Sequence, residues 1–257
     1  MMLLEARGLS RSFGGLRAVD GVSFQLAQGE LLALIGPNGA GKTTCFNMLN
    51  GNLAPDSGTV WLDGKEITRI PPRHVWRLGV GRTFQITATF QSMTVIENVQ
   101  MALISHHHRI FNLRAGATSL YTAEAMKLLE LTSMAGQAGR AAAELAYGDL
   151  KRLELAVALA HSPRLLLMDE PTAGMAPAER AALMSLAASI VDRDGIGVLF
   201  TEHDMDVVFS HARRILVLNR GRLIAEGSAE AIRSNPLVRE VYLGGGTTFA
   251  QAAGERR

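Results

Sequence analysis

The sequence predicts an α/β fold in which a largely parallel sheet carries helices on its faces. Short apolar runs typical of buried strands recur at both ends of the 257-residue chain, and helical patterns separate them. A glycine-rich loop also lies directly between one such strand and the helix that follows it. A chain of this length is long enough to bury a large core.

The strand predictions depend on apolar runs of four or five residues. Val22–Leu26 alternates between apolar and polar residues, whereas Leu31–Ile35 is continuously apolar, as expected for a strand buried on both faces. The further predicted strands are Thr59–Leu62, Val80–Thr83, Leu165–Met168, Val198–Thr201 and Ile215–Leu218. The predicted helices around them are Lys42–Leu49, Pro177–Val191 and Met205–Ser210.

The middle of the chain has a different pattern. Between about Gln85 and Ala160 no run predicts a strand, and apolar residues recur at spacings of three and four, which is typical of helices. We therefore predict a single domain whose core comprises residues 1–85 and 161–243 and whose helical subdomain comprises residues 86–160. The polar, glycine-rich residues 244–257 predict a flexible tail.

Composition excludes several classes of protein. The 26 basic and 24 acidic side chains give a net charge of +2, and no basic block indicates nucleic-acid binding. No apolar run approaches the roughly 20 residues that a membrane-spanning helix needs. The single cysteine, Cys45, cannot form an internal disulfide, and the N-terminus lacks the pattern of a signal peptide. The expected location is therefore the cytoplasm.

Residues 36–43 read Gly-Pro-Asn-Gly-Ala-Gly-Lys-Thr, which is the phosphate-loop pattern in its strand-to-helix context. Glycines let successive N–H groups point at phosphate oxygens, and the following helix adds the positive end of its dipole. We predict that Lys42 contacts the β- and γ-phosphates and that the Thr43 hydroxyl binds Mg²⁺. The predicted nucleotide-binding residues of this loop are Gly36, Pro37, Asn38, Gly39, Ala40, Gly41, Lys42, Thr43 and Thr44.

Two acidic residues, Asp169 and Glu170, follow the apolar strand 165–168. Two acids after a strand are often a helix cap or a solvated turn. In a parallel sheet with a phosphate loop, however, the carboxyl ends of the strands form the ligand-binding edge. We therefore predict that Asp169 binds Mg²⁺ and that Glu170 polarises a water for attack on the γ-phosphate. GTPases are disfavoured because no Asn-Lys-x-Asp segment is present.

Two further polar residues are predicted at the same edge of the sheet. His203 follows the strand 198–201, where a neutral imidazole would reach a γ-phosphate. Gln85 follows the strand 80–83 at the entrance to the helical segment. A lone His or Gln at a strand end is usually a turn residue, so the prediction of function depends on their shared placement.

Together the phosphate loop, Gln85, the Tyr147-Gly148 turn, "LLLMDEP" and "TEHD" resemble the ATPase subunits of ABC transporters. The resemblance covers Phe13 to about Leu243. It implies a P-loop NTPase core of the RecA-like type with an antiparallel β-subdomain and an inserted α-helical subdomain. It also implies a head-to-tail dimer with two ATP molecules and Mg²⁺ at its interface.

The same resemblance assigns roles to individual residues. Phe13 would stack on adenine, although the sequence alone equally fits an apolar residue near a strand end. Gln85 would contact ATP and Mg²⁺ and would meet the membrane partner, while Lys42, Glu170 and His203 would be catalytic. The signature residues of one subunit would complete the ATP site of the other; they are Ala146, Tyr147, Gly148 and Asp149.

Three segments, "GRTFQ", "MDEPTAGM" and "EGSAEAIRSNPLVREVYLG", are similar to ATPases of branched-chain amino acid uptake. This implies an importer subunit on the cytoplasmic face of the cell membrane. Its partners would be a second ATPase subunit, identical or not, two integral membrane permease subunits and an extracytoplasmic solute-binding protein. ATPases for lipopolysaccharide export and for urea or amide uptake are the alternatives. A non-transport ABC ATPase is disfavoured because no tandem domain, coiled-coil insertion or zinc hook is present.

Two segments depart from the usual pattern of the superfamily. The signature segment lacks the usual serine and glutamine, and it carries Ala146 and Asp149. Asp149 is expected either to cap the helix of residues 150–160 or to bring negative charge toward ATP. Ala176 stands where an Asp is usual, so communication between the two ATP sites is expected to be altered.

Two other features are expected to be structural. Consecutive histidines at 106–108 cannot all face one metal ion on a helix, and we predict that they form a solvated helix end. Cys45 is expected to pack inside the protein and not to react.

Overall fold

The computed structural model describes residues 1–83, 89–107 and 120–243. Its strands are β1 (Met2–Phe13), β2 (Leu16–Ala27), β3 (Leu31–Ile35), β4 (Ser57–Leu62), β5 (Lys65–Glu66), β6 (Val80–Thr83), β7 (Leu165–Asp169), β8 (Gly197–Thr201), β9 (Arg214–Asn219) and β10 (Arg222–Gly227). Its α-helices are α1 (Lys42–Leu49), α2 (Pro72–Arg77), α3 (Val95–His106), α4 (Thr122–Leu131), α5 (Tyr147–Leu159), α6 (Pro177–Asp194), α7 (Met205–His211), α8 (Ala229–Ser234) and α9 (Pro236–Leu243).

The central sheet has the strand order β10-β9-β3-β8-β7-β6. Neighbouring strands of this sheet pair in parallel, except β9 and β10, which are antiparallel to each other. Every residue of β3, β7 and β8 is buried, which explains their continuous apolar sequences. The carboxyl ends of β3, β6, β7 and β8 therefore meet at one edge, where the phosphate loop, Asp169, Glu170 and His203 lie; Phe13 and residues 146–149 belong to other elements.

A second sheet, with the order β2-β1-β4-β5, is antiparallel throughout. Its apolar face packs with α1 and one face of the central sheet in a single core. Cys45 of α1 is fully buried there, and burial raises the pKa of its thiol to about 12. The prediction that Cys45 is a packing residue is confirmed.

The helices α3, α4 and α5 share a separate core that includes Val99, Leu103, Leu129 and Leu153. Thr94 begins α3 with a capping box: its N–H donates to Glu97 Oε2 at 2.8 Å, and its hydroxyl accepts from the Glu97 N–H. Within residues 89–107 and 120–160, where the structure is described, there is no strand. The helical character predicted for this segment is confirmed there.

Several elements were not predicted from the sequence. β1 is twelve residues long, but arginine, serine and glycine interrupt its apolar residues because one side of the strand is exposed. The short helices α2, α8 and α9 and the strands β5 and β10 were also missed. Within the described ranges, no helix has the length and apolar character required to cross a membrane. The tail, residues 244–257, lies outside the described residues.

Candidate nucleotide-binding site

The phosphate loop, residues 36–43, connects β3 to α1. Gly41 precedes the helix with φ of 105°, and a Cβ built on it would lie 2.3 Å from the backbone oxygen of Ala18. Only glycine fits this position, because both its backbone conformation and its surroundings exclude a side chain. The loop is also fastened to the β9–β10 turn, since the Gly221 N–H donates to the Ala40 oxygen at 2.9 Å.

Lys42 folds back over the loop and is only 7% exposed. Its Nζ donates to the backbone oxygens of Gly36 at 2.7 Å and Pro37 at 3.3 Å. Burial lowers the pKa of this ammonium group, whereas the charges of Glu170 and Asp169 raise it. The charges of the two acids therefore act on the lysine of the phosphate loop.

Asp169 ends β7 and is fixed by residues of both neighbouring strands. Its Oδ1 accepts from the Thr201 hydroxyl at 2.7 Å, and its Oδ2 accepts from Arg82 Nη2 at 3.2 Å. Arg82 in turn donates through Nη1 to Asn47 Oδ1 of α1 at 2.7 Å. Sequence reasoning missed Arg82 and Thr201, and the only signal was their position at the ends of predicted strands.

Glu170 follows with a left-handed backbone, φ 50°, which is uncommon for a residue other than glycine. Its N–H donates to both the backbone oxygen and the hydroxyl of Thr201, at 3.1 and 3.0 Å. Its Oε1 lies 2.7 Å from Nε2 of His203. The sequence placed these two residues at one edge of the sheet but did not predict their direct contact.

A cleft of about 690 Å³ is lined by residues of the phosphate loop together with Glu170 and His203, whereas Gly36, Pro37 and Asp169 do not line it. Phe13 lies at its rim with 48% of its surface exposed, and the Arg11 guanidinium is 5.3 Å from the centre of its ring. An exposed aromatic ring beside a phosphate loop is suited to stacking on a base. The predicted residues that line the cleft are Phe13, Asn38, Gly39, Ala40, Gly41, Lys42, Thr43, Thr44, Glu170 and His203.

The oxygen atoms near the phosphate loop suit Mg²⁺. This ion is usually held by one or two protein oxygens together with phosphates and waters. Thr43 has an exposed side chain, and Asp169 supplies a carboxylate at the adjacent strand end. Among the described residues no cluster of three or more His, Cys, Asp or Glu is present. Gln85, the third predicted ligand, lies outside the described residues.

None of the signature residues 146–149 lines the cleft of their own chain. Gly148 is buried at the start of α5, and a Cβ built on it would lie 3.1 Å from the carboxyl carbon of Glu179. Glycine therefore allows close packing of α5 against the segment that follows Glu170. Tyr147 precedes it with 43% of its surface exposed.

The prediction that Asp149 caps a helix over residues 150–160 is wrong. The helix α5 begins at Tyr147, three residues after Glu144, and its N-cap residue, Ala146, has no side-chain acceptor. Asp149 lies inside the first turn, and its Oδ2 accepts from Gln137 Nε2 at 2.8 Å. Ala176 likewise begins α6 without a side-chain cap of its own, and its N–H donates to Glu179 Oε2 at 3.2 Å.

A second cavity, of about 390 Å³, lies between the central sheet and the helices α2, α3 and α5, and we call it the groove. It is mostly apolar, but Lys151 and Glu154 form a buried ion pair at 3.0 Å near it. Arg82 lines the groove and also binds Asp169. One side chain thus connects this cavity to the acid of the nucleotide site.

His161 lies in the groove with 6% exposure, and its ring centre is 4.9 Å from that of Trp76. His106 packs on the same tryptophan at 6.2 Å. The expectation of a solvated helix end is confirmed for His107, which is exposed and directly follows α3, and only in part for His106, which is half-buried beside Trp76. His108 lies outside the described residues.

Replacing His161 is expected to make the protein more resistant to acid. Burial, and then the neighbouring His106, lowers the pKa of His161 from 6.5 to about 4. Because the unfolded chain takes up this proton at a higher pH than the folded chain, the free energy of unfolding falls as pH drops from 6.5 to 4. We expect His161→Gln to remove about 3 kcal/mol of that fall, measured by urea unfolding at each pH. An unchanged pH slope would contradict this account, and the exposed His74→Gln is the control.

Comparisons with known proteins agree with this geometry. A family model described as ABC transporter matches residues 19–173, and one described as branched-chain amino acid ATP-binding cassette transporter matches residues 222–247. The branched-chain amino acid transport ATP-binding protein BraF of Pseudomonas aeruginosa is 42% identical over 94% of this chain and 98% of its own. LivG of Escherichia coli, described in the same words, is 40% identical over 94% and 98%.

Solved structures give the same result. The ADP conformation of an ATP-binding cassette of an ABC transporter superposes with a TM-score of 0.85 at 32% identity, covering 95% of this chain and 99% of that chain. A nucleotide-free cassette superposes with a TM-score of 0.84 at 31% identity, covering 94% and 99%. The fold of an ATP-binding cassette is therefore established for this chain.

Proposed function

The chain belongs to the family of ABC transporter ATPases, and from that premise we propose that it powers an importer for branched-chain or related amino acids. The proposed hydrolysis depends on the contact between Glu170 and His203 at 2.7 Å. Both side chains line the same cleft as the phosphate loop. The solute class is supported by the family match over residues 222–247 and by the relatives BraF and LivG.

In the proposed reaction Glu170 accepts a proton from a water, and the oxygen of that water forms a bond to the γ-phosphorus. The bond from that phosphorus to the β–γ bridging oxygen breaks, and ADP and inorganic phosphate are formed. His203 orients Glu170 through its Nε2, and Lys42 exchanges the carbonyls of Gly36 and Pro37 for phosphate oxygens. Mg²⁺, held by Thr43 and Asp169 and in our proposal by Gln85, would neutralise charge on the phosphates.

We propose that two such chains, or this chain and a related one, complete each other's ATP sites. This proposal is supported by the observation that residues 146–149 do not line the cleft of their own chain. The start of α5 presents backbone N–H groups and the positive end of a helix dipole, which suits a phosphate held by the partner's loop.

For the remaining partners we propose two membrane permease subunits, one segment of which enters the groove, and an extracytoplasmic solute-binding protein. The groove supports this, because it is mostly apolar and its side chain Arg82 reaches Asp169. The chain would then be peripheral, on the cytoplasmic face of the membrane.

The test is co-purification with the candidate permease subunits, followed by ATPase assays in proteoliposomes with liganded binding proteins. We expect ATPase stimulation by a binding protein loaded with leucine, isoleucine or valine. Stimulation by urea, amides or a lipid, and by none of these amino acids, would contradict the proposed solute class. The assignment of the chain as an ATPase would still hold.

Asp149 gives a prediction of its own within this proposal. Its carboxylate lies in the first turn of α5, where the partner's ATP would approach, so Asp149→Gln is expected to raise the ATPase rate about twofold to fivefold. The amide can still accept the hydrogen bond of Gln137. Glu130→Gln on α4 is the matched control, and an unchanged or lower rate for Asp149→Gln would show that its charge does not oppose ATP.

A further inference from the structure

Three consecutive residues, the last of β8 and the two that follow it, each reach across to the segment 169–172. Thr201 binds Asp169 and the Glu170 N–H, and His203 meets Glu170. Glu202, between them, contacts Thr172 and is only 4% exposed.

Glu202 accepts three hydrogen bonds. Its Oε1 accepts from the N–H and the hydroxyl of Thr172, at 2.8 and 2.6 Å, and its Oε2 accepts from the N–H of His203 at 3.2 Å. Thr172 is itself 1% exposed. One carboxylate therefore joins the segment that carries Glu170 to the segment that carries His203, with a different oxygen serving each.

We propose that Glu202 is a positioning residue that fixes the contact between Glu170 and His203. The inference rests on the proposed function, in which those two side chains act together on water and phosphate. Neither Glu202 nor Thr172 lines the nucleotide cleft, so both act through their neighbours.

The chemistry of the contact explains why a carboxylate is needed. All three groups facing Glu202 are donors, and hydrogen bonds to a charged acceptor are shorter and stronger than neutral ones. A glutamine has only one oxygen, so it would lose either the Thr172 pair or the His203 N–H and would direct its amide hydrogens at donors. Glu170 is especially sensitive to such a change, because its left-handed backbone persists only where surrounding contacts hold it.

The segment that Glu202 holds also leads toward α6. The backbone oxygen of Thr172 accepts from the Met175 N–H at 3.1 Å, and Gly174 lies against the Tyr147 ring. Loosening Thr172 is therefore expected to disturb the acid of this chain before it disturbs the phosphate loop, which lies on β3 and α1.

The experiment compares Glu202→Gln, Thr172→Val and the double variant in the full-length chain. We expect each single variant to lower kcat for ATP about tenfold, while KM and the affinity for a fluorescent ATP analogue change less than twofold. Because both residues form one contact, the double variant is expected to be no slower than the slower single variant. Thr132→Val is the matched control, since Thr132 is also fully buried and donates to a helix carbonyl, Leu128 at 3.0 Å, but lies in the helical part.

A kcat for Glu202→Gln within twofold of the wild type would overturn the proposal, as would additive losses in the double variant. If Glu202→Gln does not fold, Thr172→Ser, which keeps the hydroxyl, must retain kcat while Thr172→Val loses it. A second readout is the NMR signal of the His203 ring, which is expected to shift in Glu202→Gln and to stay unchanged in Thr132→Val. The NMR shift does not depend on turnover. If the wild-type chain has no ATPase activity, the proposed function is contradicted. The signal of the His203 ring still tests whether Glu202 fixes the contact between Glu170 and His203.

Discussion

Replacing Glu170 with glutamine is expected to lower ATP hydrolysis by about 10²-fold to 10³-fold and to leave ATP binding intact. The carboxylate is the only described acid that both lines the nucleotide cleft and contacts His203. A neutral amide keeps the size and the contact with His203 but cannot accept a proton from water. General-base catalysis typically contributes a factor of this order.

The measurement is phosphate release under saturating MgATP, together with equilibrium binding of ATP and analytical ultracentrifugation. The variant is expected to bind ATP normally and to accumulate as an ATP-bound dimer. Glu66→Gln, on the exposed strand β5, is the control and is expected to hydrolyse at the wild-type rate. Hydrolysis by Glu170→Gln at the wild-type rate would show that Glu170 is not the base.

Replacing Lys42 with alanine is expected to weaken ATP binding about a hundredfold, which corresponds to roughly 3 kcal/mol. Lys42 is the cation held inside the loop, and its ammonium group is already desolvated before the nucleotide arrives. The protein therefore needs little further reorganisation when phosphate oxygens replace the carbonyls of Gly36 and Pro37. Hydrolysis is expected to be lost together with binding.

Calorimetric titration with ATP measures this loss, and thermal unfolding of the same samples reports whether the fold survives. Lys65→Ala is the matched control because Lys65 is an exposed lysine on β5, remote from the loop in sequence. An affinity for Lys42→Ala within threefold of the wild type would contradict the assigned role. An equal loss in Lys65→Ala would point to a general effect of charge.

The parts of the site that are local in sequence could be predicted from it. The strand β3 and the helix α1 were predicted with their observed bounds, because a continuous apolar run and the glycine-rich loop limit them closely. The bounds of β6 were also predicted, although its sequence, Val-Gly-Arg-Thr, is not continuously apolar. The rule that ligands bind at the carboxyl ends of parallel strands then placed Lys42, Asp169, Glu170 and His203 near one another.

The contacts of Arg82, Thr201 and Glu202 could not be predicted in this way. They depend on β6, β7 and β8 being neighbours in the sheet, although the helical segment separates β6 from β7 in the chain. Asp149 was assigned as a cap because it precedes an apolar helical run, but Tyr147 and Gly148 already belong to α5. His106 was expected in solvent because nothing in the sequence indicated that Trp76 packs on it.

The most direct test of the central claim is uptake of radiolabelled leucine, isoleucine and valine into proteoliposomes. These would contain this chain, its partner ATPase if one co-purifies, the permease subunits and an external binding protein, with ATP supplied on the side of this chain. We predict uptake that requires MgATP and that falls to background when Glu170→Gln replaces the wild type. ATP hydrolysis of normal rate without uptake of any of these amino acids would contradict the claim.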